Sequence, residues 1–419
     1  MRKQFIFGVV AAIAVALLPA VSAAPSFADD AAFATCTDLA SCGGLSALVK
    51  AAQAEGTLNV TTILRNWADY GDAVDTFQAA FGIHINDDNP DGGSSYEINS
   101  IKTAPAESQP DVIDFGASHI AEAAGVTACP TDITTCSASI FANYKVATWN
   151  DIPANWKEVD GNWFGNYQGQ IVIGYDAKLK KAPTKISDLT DPAYKKVVGI
   201  AGDPTAAQEA LISVMAATVA NGGTFANVQK GVDFYHKLKT IGNLSGATAD
   251  STHIATGNPK VWLDYSFNAL GTEQLGAQIG KTFKYVKPAD AAVMGTPYLF
   301  AVNATAPHPA AARLWVEYLM SENKGHLAKD LAGDEAANVK AGTLDGAKLF
   351  NSLLGGQNIF QLGGAVPIEI AAMTKKKLLV PSPSTIFVPS AGDKLAPKQP
   401  TVAQQATAIA LLKTAWPKI

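Results

Sequence analysis

An α/β fold is predicted by a unit that recurs along this 419-residue chain, in which an apolar strand breaks into a polar, aromatic loop and then a helix. The unit appears before residue 120 and again after residue 197, and the length favours two or three domains over one, so two lobes are expected. A hydrophobic content of 48% with 16% charged residues suits sizeable cores and argues against a disordered chain. A net charge of −5 gives no reason to expect a nucleic-acid partner and leans toward cationic over anionic ligands.

Residues 1–28 have the form of a secretory signal peptide. Arg2 and Lys3 precede the apolar run Phe5–Leu18, and small-residue cleavage patterns follow at Val21-Ser22-Ala23 and Ser26-Phe27-Ala28. Cleavage after Ala28 is expected, because Asp29 and Asp30 then begin a polar mature end. No later stretch approaches about 20 uninterrupted apolar residues, so a soluble protein outside the cytoplasm is expected. The four cysteines, Cys36, Cys42, Cys129 and Cys136, predict disulfides in an exported chain. Three pairings are possible, and the local ones, Cys36–Cys42 and Cys129–Cys136, are expected because each closes a small polar loop. Neither spacing is that of a metal knuckle. None of the four follows a lipoprotein pattern, so no lipid anchor is expected, which points to a Gram-negative periplasm.

A helix is predicted at Leu45–Glu55, then a strand at Thr57–Leu64 and a helix from Gly71 to Phe81 with Val74, Phe77, Ala80 and Phe81 on one face. Asn66, Trp67, Asp69 and Tyr70 lie in the loop at the strand's carboxyl end, where α/β sheets bind ligands. The competing reading has Trp67 and Tyr70 plugging a sheet edge. Ile83–Asp87 reads as a strand, Pro90–Glu97 as a turn and Ile98–Thr103 as a helix. Ser94 and Glu97 have the spacing of a capping box, with contact to a ligand at Ser94 and Ser95 as the alternative. Pro110–Ser118 supplies a further strand ending in Asp114 and Gly116.

Aromatic residues crowd Phe141–Asn166, and Tyr167–Tyr175 reads as a strand. The second lobe repeats the opening pattern at Val197–Glu209. There a strand meets the turn 202–205, with Asp203 beside it and Thr205 as helix N-cap; the same helix start would also suit an anion. Helices are predicted at Ala206–Ala220 and Phe225–Thr240. A strand at Val261–Leu263 opens onto Asp264 and Tyr265, where Trp262 or Tyr265 would attract an ammonium group by cation–π and Asp264 by charge. Alternatively, Trp262 packs in the sheet and Asp264 caps the next helix.

Thr282–Val286 is a strand, and Gly295–Asn303 returns the chain to the first lobe with Tyr298 near the crossover. His308–Met320 and Thr401–Trp416 read as amphipathic helices, Lys375–Lys377 as a solvated face and Pro381–Thr385 as a surface turn. Gly276–Thr282 is one residue short of a phosphate loop, and metalloprotease and serine-hydrolase motifs are lacking, so no catalytic role is expected.

Asn66-Trp67-Ala68-Asp69-Tyr70, the Pro90–Ile98 stretch, Pro110–Asp114, the Asp188–Lys195 segment and Ala306–Leu319 together resemble the extracellular solute-binding proteins of bacterial ABC importers, with the polyamine and ferric-iron group the most similar branch. The resemblance runs in order over residues 57–330. It implies a two-lobed periplasmic-binding-protein fold of type II with a ligand cleft between the lobes, and hinge closure. Lobe one would comprise residues 31–160 and 297–419, and lobe two residues 161–296. It further implies a monomer that binds a small solute without a cofactor and docks on a membrane permease. Carried over from polyamine binders, Trp67, Tyr70, Ser95, Trp262 and Tyr298 would surround an amine, with Tyr167 bracketing the crossing strand. Asp69 and Asp264 would hold its ammonium ends. In this group the 202–205 loop also carries acids that grip ammonium, and Asp203 and Glu209 are available for it. Ala206, Ala207 and Gln208, however, stand where polyamine binders carry more acid, so a phosphonate at the Ser94, Ser95 and Thr205 helix starts, or ferric ion with an anion, are the alternatives. An exported hydrolase or lyase is the reading from a different class.

Overall fold

The computed structural model describes residues 32–322, 353, 355–379 and 397–419. The signal-peptide reading of 1–28 and the turn at Pro381–Thr385 lie outside them. Along the chain run α1 (Leu45–Glu55), β1 (Thr57–Thr61), α2 (Tyr70–Phe81), β2 (His84–Asp88), α3 (Ser94–Thr103), β3 (Val112–Gly116), α4 (Ile120–Ala123), β4 (Phe164–Gly165), β5 (Tyr167–Gln168) and β6 (Ile171–Asp176). There follow β7 (Val198–Ile200), α5 (Gln208–Ala220), α6 (Gln229–Thr240), β8 (Leu244–Thr248), α7 (Ser251–Thr256), β9 (Val261–Tyr265), α8 (Ser266–Gln278), β10 (Phe283–Val286) and β11 (Tyr298–Val302). The last elements are α9 (Pro309–Met320), α10 (Gly356–Leu362), β12 (Val366–Pro367), α11 (Ile370–Lys376) and α12 (Val402–Ala415).

One lobe is built on a five-stranded sheet in the order β10-β6-β9-β7-β8, drawn wholly from residues 171–286. Its β9 is buried at every position, as a strand covered on both faces must be. The other lobe pairs β1 with β2 in parallel and carries a β3-β11-β4 sheet, in which Tyr298–Val302 runs antiparallel to Val112–Gly116. Between the lobes, Gln170 bridges Met294 and Val293 bridges Lys398, so three chain segments lie side by side at the crossing. Helix α12 packs on α5 and α6 as well as on the turn at Ala117–His119, and so spans both halves of the molecule.

Several expected boundaries move. The first strand ends at Thr61, because Thr62 turns left-handed at φ 63°. The run Tyr167–Tyr175 divides into β5 and β6, the first pairing with β12 and the second with β9 and β10. Helix α9 is buried along its whole length rather than on one face. Its Arg313 guanidinium donates to the carbonyls of Ala34, Cys36 and Pro309, and its free N-terminal N–H groups are met by Glu55, which accepts from Ala310 and Ala311. Lys376 is not merely solvated: it pairs with Asp151 and, at 3.0 Å, with Glu322. Cys36 is bonded to Cys42 and Cys129 to Cys136.

Candidate functional site

The lobes meet along a cleft made of three connected spaces. A middle chamber of about 320 Å³ is lined by Asn66, Trp67 and Asp91–Gly93 from one side and by Glu209, Asp250, Asp264 and Asn268 from the other. An inner chamber of about 50 Å³ continues past Trp67 and Glu209 to Glu97, Asp114, Tyr167 and Tyr298. An outer groove of about 800 Å³ opens beyond Asn66 and Ser251, with Arg65, Asp69 and Asp87 on its walls.

Lobe one presents its residues on strained loops. Thr62, Ala68, Asp69 and Asn89 all take positive φ, a conformation that costs non-glycine residues about 1–3 kcal/mol and concentrates at functional sites. The turn at Ala68 and Asp69 swings Trp67 toward the chambers, while Tyr70 opens α2 and donates its hydroxyl to Asp114. Asp114 is otherwise held by Asn166 Nδ2 at 2.7 Å and the Tyr167 hydroxyl at 3.3 Å. Tyr167 and Tyr298 stack with centroids 5.4 Å apart.

The carboxylates are electrostatically unusual. No Lys, Arg or His stands among the described residues lining the middle and inner chambers. Burial therefore raises Asp114 to about 7 and Asp264 to about 6. Burial and the charge of Asp114 push Glu97 well above the ordinary carboxyl range. Glu209 lies beside Asp264, and burial plus the charge of Asp264 drives the Glu209 carboxyl well above its ordinary range. In the outer groove, burial raises Asp69 to about 7, ahead of the effect of Asp72.

Of the residues singled out from sequence, Asn66, Trp67, Ser94, Asp114, Tyr167, Glu209, Asp264 and Tyr298 line the middle and inner chambers. Asp69 faces the outer groove, and Tyr70 lies behind Asp114. The other five lie off these walls. Ser95 donates to Glu122 at 2.8 Å. Asp203 accepts from the backbone and hydroxyl of Thr205, both at 2.8 Å, closing its own loop. Trp262 packs against Ala249, Ile254 and Phe283 behind the chamber wall, and Tyr265 stacks on Phe267.

Two capping readings are corrected. Ser94 Oγ accepts from the Gly116 N–H instead of capping α3, which starts at Ser94 itself, and Glu97 turns into the inner chamber. Helix α5 begins at Gln208, not beside Thr205, because Ala206 and Ala207 bond back to the Asp203 carbonyl.

Asp91, Glu97, Asp250 and Asn268 complete the chambers without having been read as site residues. Glu97 did leave a signal: it falls on the stripe of α3 that carries Ile98 and Ile101, where a carboxylate is out of place.

The two lobes touch across the cleft. A Cβ on Gly271 of α8 would stand 2.1 Å from the Asn66 carbonyl oxygen, and one on Gly116 would stand 2.7 Å from Gln208 Cβ. Gly271→Ala is therefore expected to hold the lobes apart, lowering ligand affinity by roughly tenfold as the closed state becomes rarer. Small-angle scattering of the ligand-saturated variant should show a larger radius of gyration than the native protein; equal affinity and size would mean the helix shifts to absorb the methyl.

Residues 135–350 match the family model of the bacterial extracellular solute-binding proteins, and the chain belongs to that family. Solved structures share its fold. The periplasmic binding protein AfuA from Actinobacillus pleuropneumoniae, with exogenous fructose-6-phosphate bound, matches 85% of this chain and 97% of its own at 17% identity and a TM-score of 0.53. AgtB from A. tumefaciens R10, in complex with agropinic acid, matches 86% and 98% at 13% identity and a TM-score of 0.55. The apo ferric ion-binding protein A of Pasteurella haemolytica matches 87% and 99% at 15% identity and a TM-score of 0.50. No curated protein matches the sequence. The architecture is thus the two-lobed α/β fold of periplasmic binding proteins.

Proposed function

We propose that this solute-binding protein captures a small cationic amine, with a polyamine the best fit, and delivers it to the permease of an ABC importer from the periplasm. Binding is non-covalent, the protein acts as a monomer, and no turnover is involved. One observation carries the ligand class. Asp91, Glu209, Asp250 and Asp264 face a single chamber whose described lining offers no basic side chain, although Asp250 also pairs with His253 at its edge. Carboxylates gathered without a cation among them repel one another, at greatest cost for the most buried, Asp264 at 3% exposure, and an ammonium ligand offsets that cost. Trp67, Tyr167 and Tyr298 would cover the methylenes and contribute cation–π attraction.

The alternatives fit less well. Gly93 and Ala207, the N-caps of α3 and α5, line both chambers and would suit a phosphonate. Their first turns, however, already hold Glu97 and Glu209, which occupy the positive end of each helix dipole. Ferric ion would need free phenolate oxygens, whereas Tyr70 and Tyr167 donate theirs to Asp114.

Thermal unfolding of the mature protein against diamines and polyamines, aminophosphonates, amino acids and ferric salts tests the reading. A diamine at about 100 times its dissociation constant should stabilise by roughly 2.7 kcal/mol. A raised midpoint with phosphonate or iron alone would overturn the amine.

A further inference from the structure

The wall of the inner chamber carries one unanswered group. Glu97 enters its wall from the first turn of α3 and is only 1% exposed. A backbone N–H of Asp114 reaches the carboxyl, but among the described residues no group donates to Oε2. The neighbouring Asp114 is different, since Asn166, Tyr70 and Tyr167 all donate to it. Leaving a buried carboxyl oxygen without a donor is unfavourable, so a fold that retains one without a basic neighbour points to a donor from outside the chain.

We propose that Glu97 receives one unsubstituted primary ammonium of the ligand, while the rest of the molecule runs past Trp67 to Glu209 and Asp264. This rests on the reading of the cleft as an amine site and assigns the ligand its orientation and its inner terminus. Three features support it. An ammonium carries three N–H donors, which Oε2 and the phenol oxygens around it can accept. Trp67, Tyr167 and Tyr298 line the space, and aromatic rings suit a cation that sheds water. A trimethylammonium group, by contrast, carries no N–H and would leave Oε2 unanswered. Glu97 is then a specificity-determining residue that selects ligands with at least one primary amine terminus.

Calorimetric titration of the mature protein with 1,4-diaminobutane, its N,N,N-trimethyl derivative and its bis(trimethylammonium) derivative tests the assignment. The mono-quaternary compound should bind within a few-fold of the diamine, primary end inward. The bis-quaternary compound should bind about 100-fold more weakly, and Glu97→Gln should weaken the diamine by about 30-fold or more, as expected for removing a buried charge partner. Circular dichroism of Glu97→Gln checks its fold, and if the variant does not fold, the comparison of diamine and bis-quaternary compound on the native protein decides alone. Diamine binding undiminished by Glu97→Gln, or equal affinity for the bis-quaternary compound, would overturn this assignment while leaving the amine cleft standing. No binding of any amine by the native protein would overturn both.

Discussion

Asp264→Asn should weaken diamine binding by between about 30-fold and several thousand-fold, the ~2–5 kcal/mol that follows from removing one member of a buried charge pair. The size of the effect comes from where Asp264 sits. It is the penultimate residue of β9 at 3% exposure, accepts the Tyr265 N–H at 2.6 Å and Asn268 Nδ2 at 3.0 Å, and lies beside Glu209. Those bonds aim one charged oxygen pair at the middle chamber. Asn has the same shape, so the walls persist and the charge alone is lost. Glu209 then loses the repulsion that helps keep it protonated, and it can take over part of the ammonium's charge. The double variant Asp264→Asn, Glu209→Gln should therefore lose more than the single one, measured by titration calorimetry. Unchanged affinity in the single variant would remove Asp264 from the site.

The unliganded protein should lose stability as pH rises from about 4 to about 7, contrary to the usual behaviour of carboxylate-rich proteins. The sign follows from burial. Asp114 and Asp264 are raised from an ordinary 3.8 to about 7 and about 6, and burial holds Glu97 and Glu209 well above the ordinary carboxyl range as well. Each such group is neutral and harmless below its unfolded pKa, and destabilises the fold progressively as pH climbs through its folded value. For Asp114 alone the rise corresponds to at most about 4 kcal/mol. Glu55 and Glu317, both raised to about 7 far from the chambers, add to the same trend. The ligand separates the two contributions, because an ammonium relieves only the carboxylates it touches. The rise in melting temperature produced by 1,4-diaminobutane should thus be larger at pH 8 than at pH 5. A ligand-induced shift independent of pH would mean that these carboxylates do not meet the cation.

Much of the fold was legible because local order announces it. The apolar runs of β1, β3 and β9 and the stripes of α2 and α12 follow directly from side-chain period, and each ends at a glycine, a polar turn or a capping residue. Trp67 and Asp264 could be picked out for the same reason: each lies at or just beyond the carboxyl end of a strand. The burial of all of α9 was not legible, since Arg313 and Glu317 look solvent-facing until carbonyls and N–H groups from distant segments are brought to them.

The chain alone determined the α/β class, the family resemblance and the presence of an aromatic and acidic loop at the first strand end, because these depend on residues adjacent in sequence. Only the tertiary structure decided which acids share a chamber. Glu97 read as a cap and Thr205 as a helix start, yet the fold turns Glu97 inward and ties Thr205 to Asp203. The physical reason is that burial, not sequence spacing, sets a carboxylate's role, and burial is created where two lobes distant in the chain close on each other.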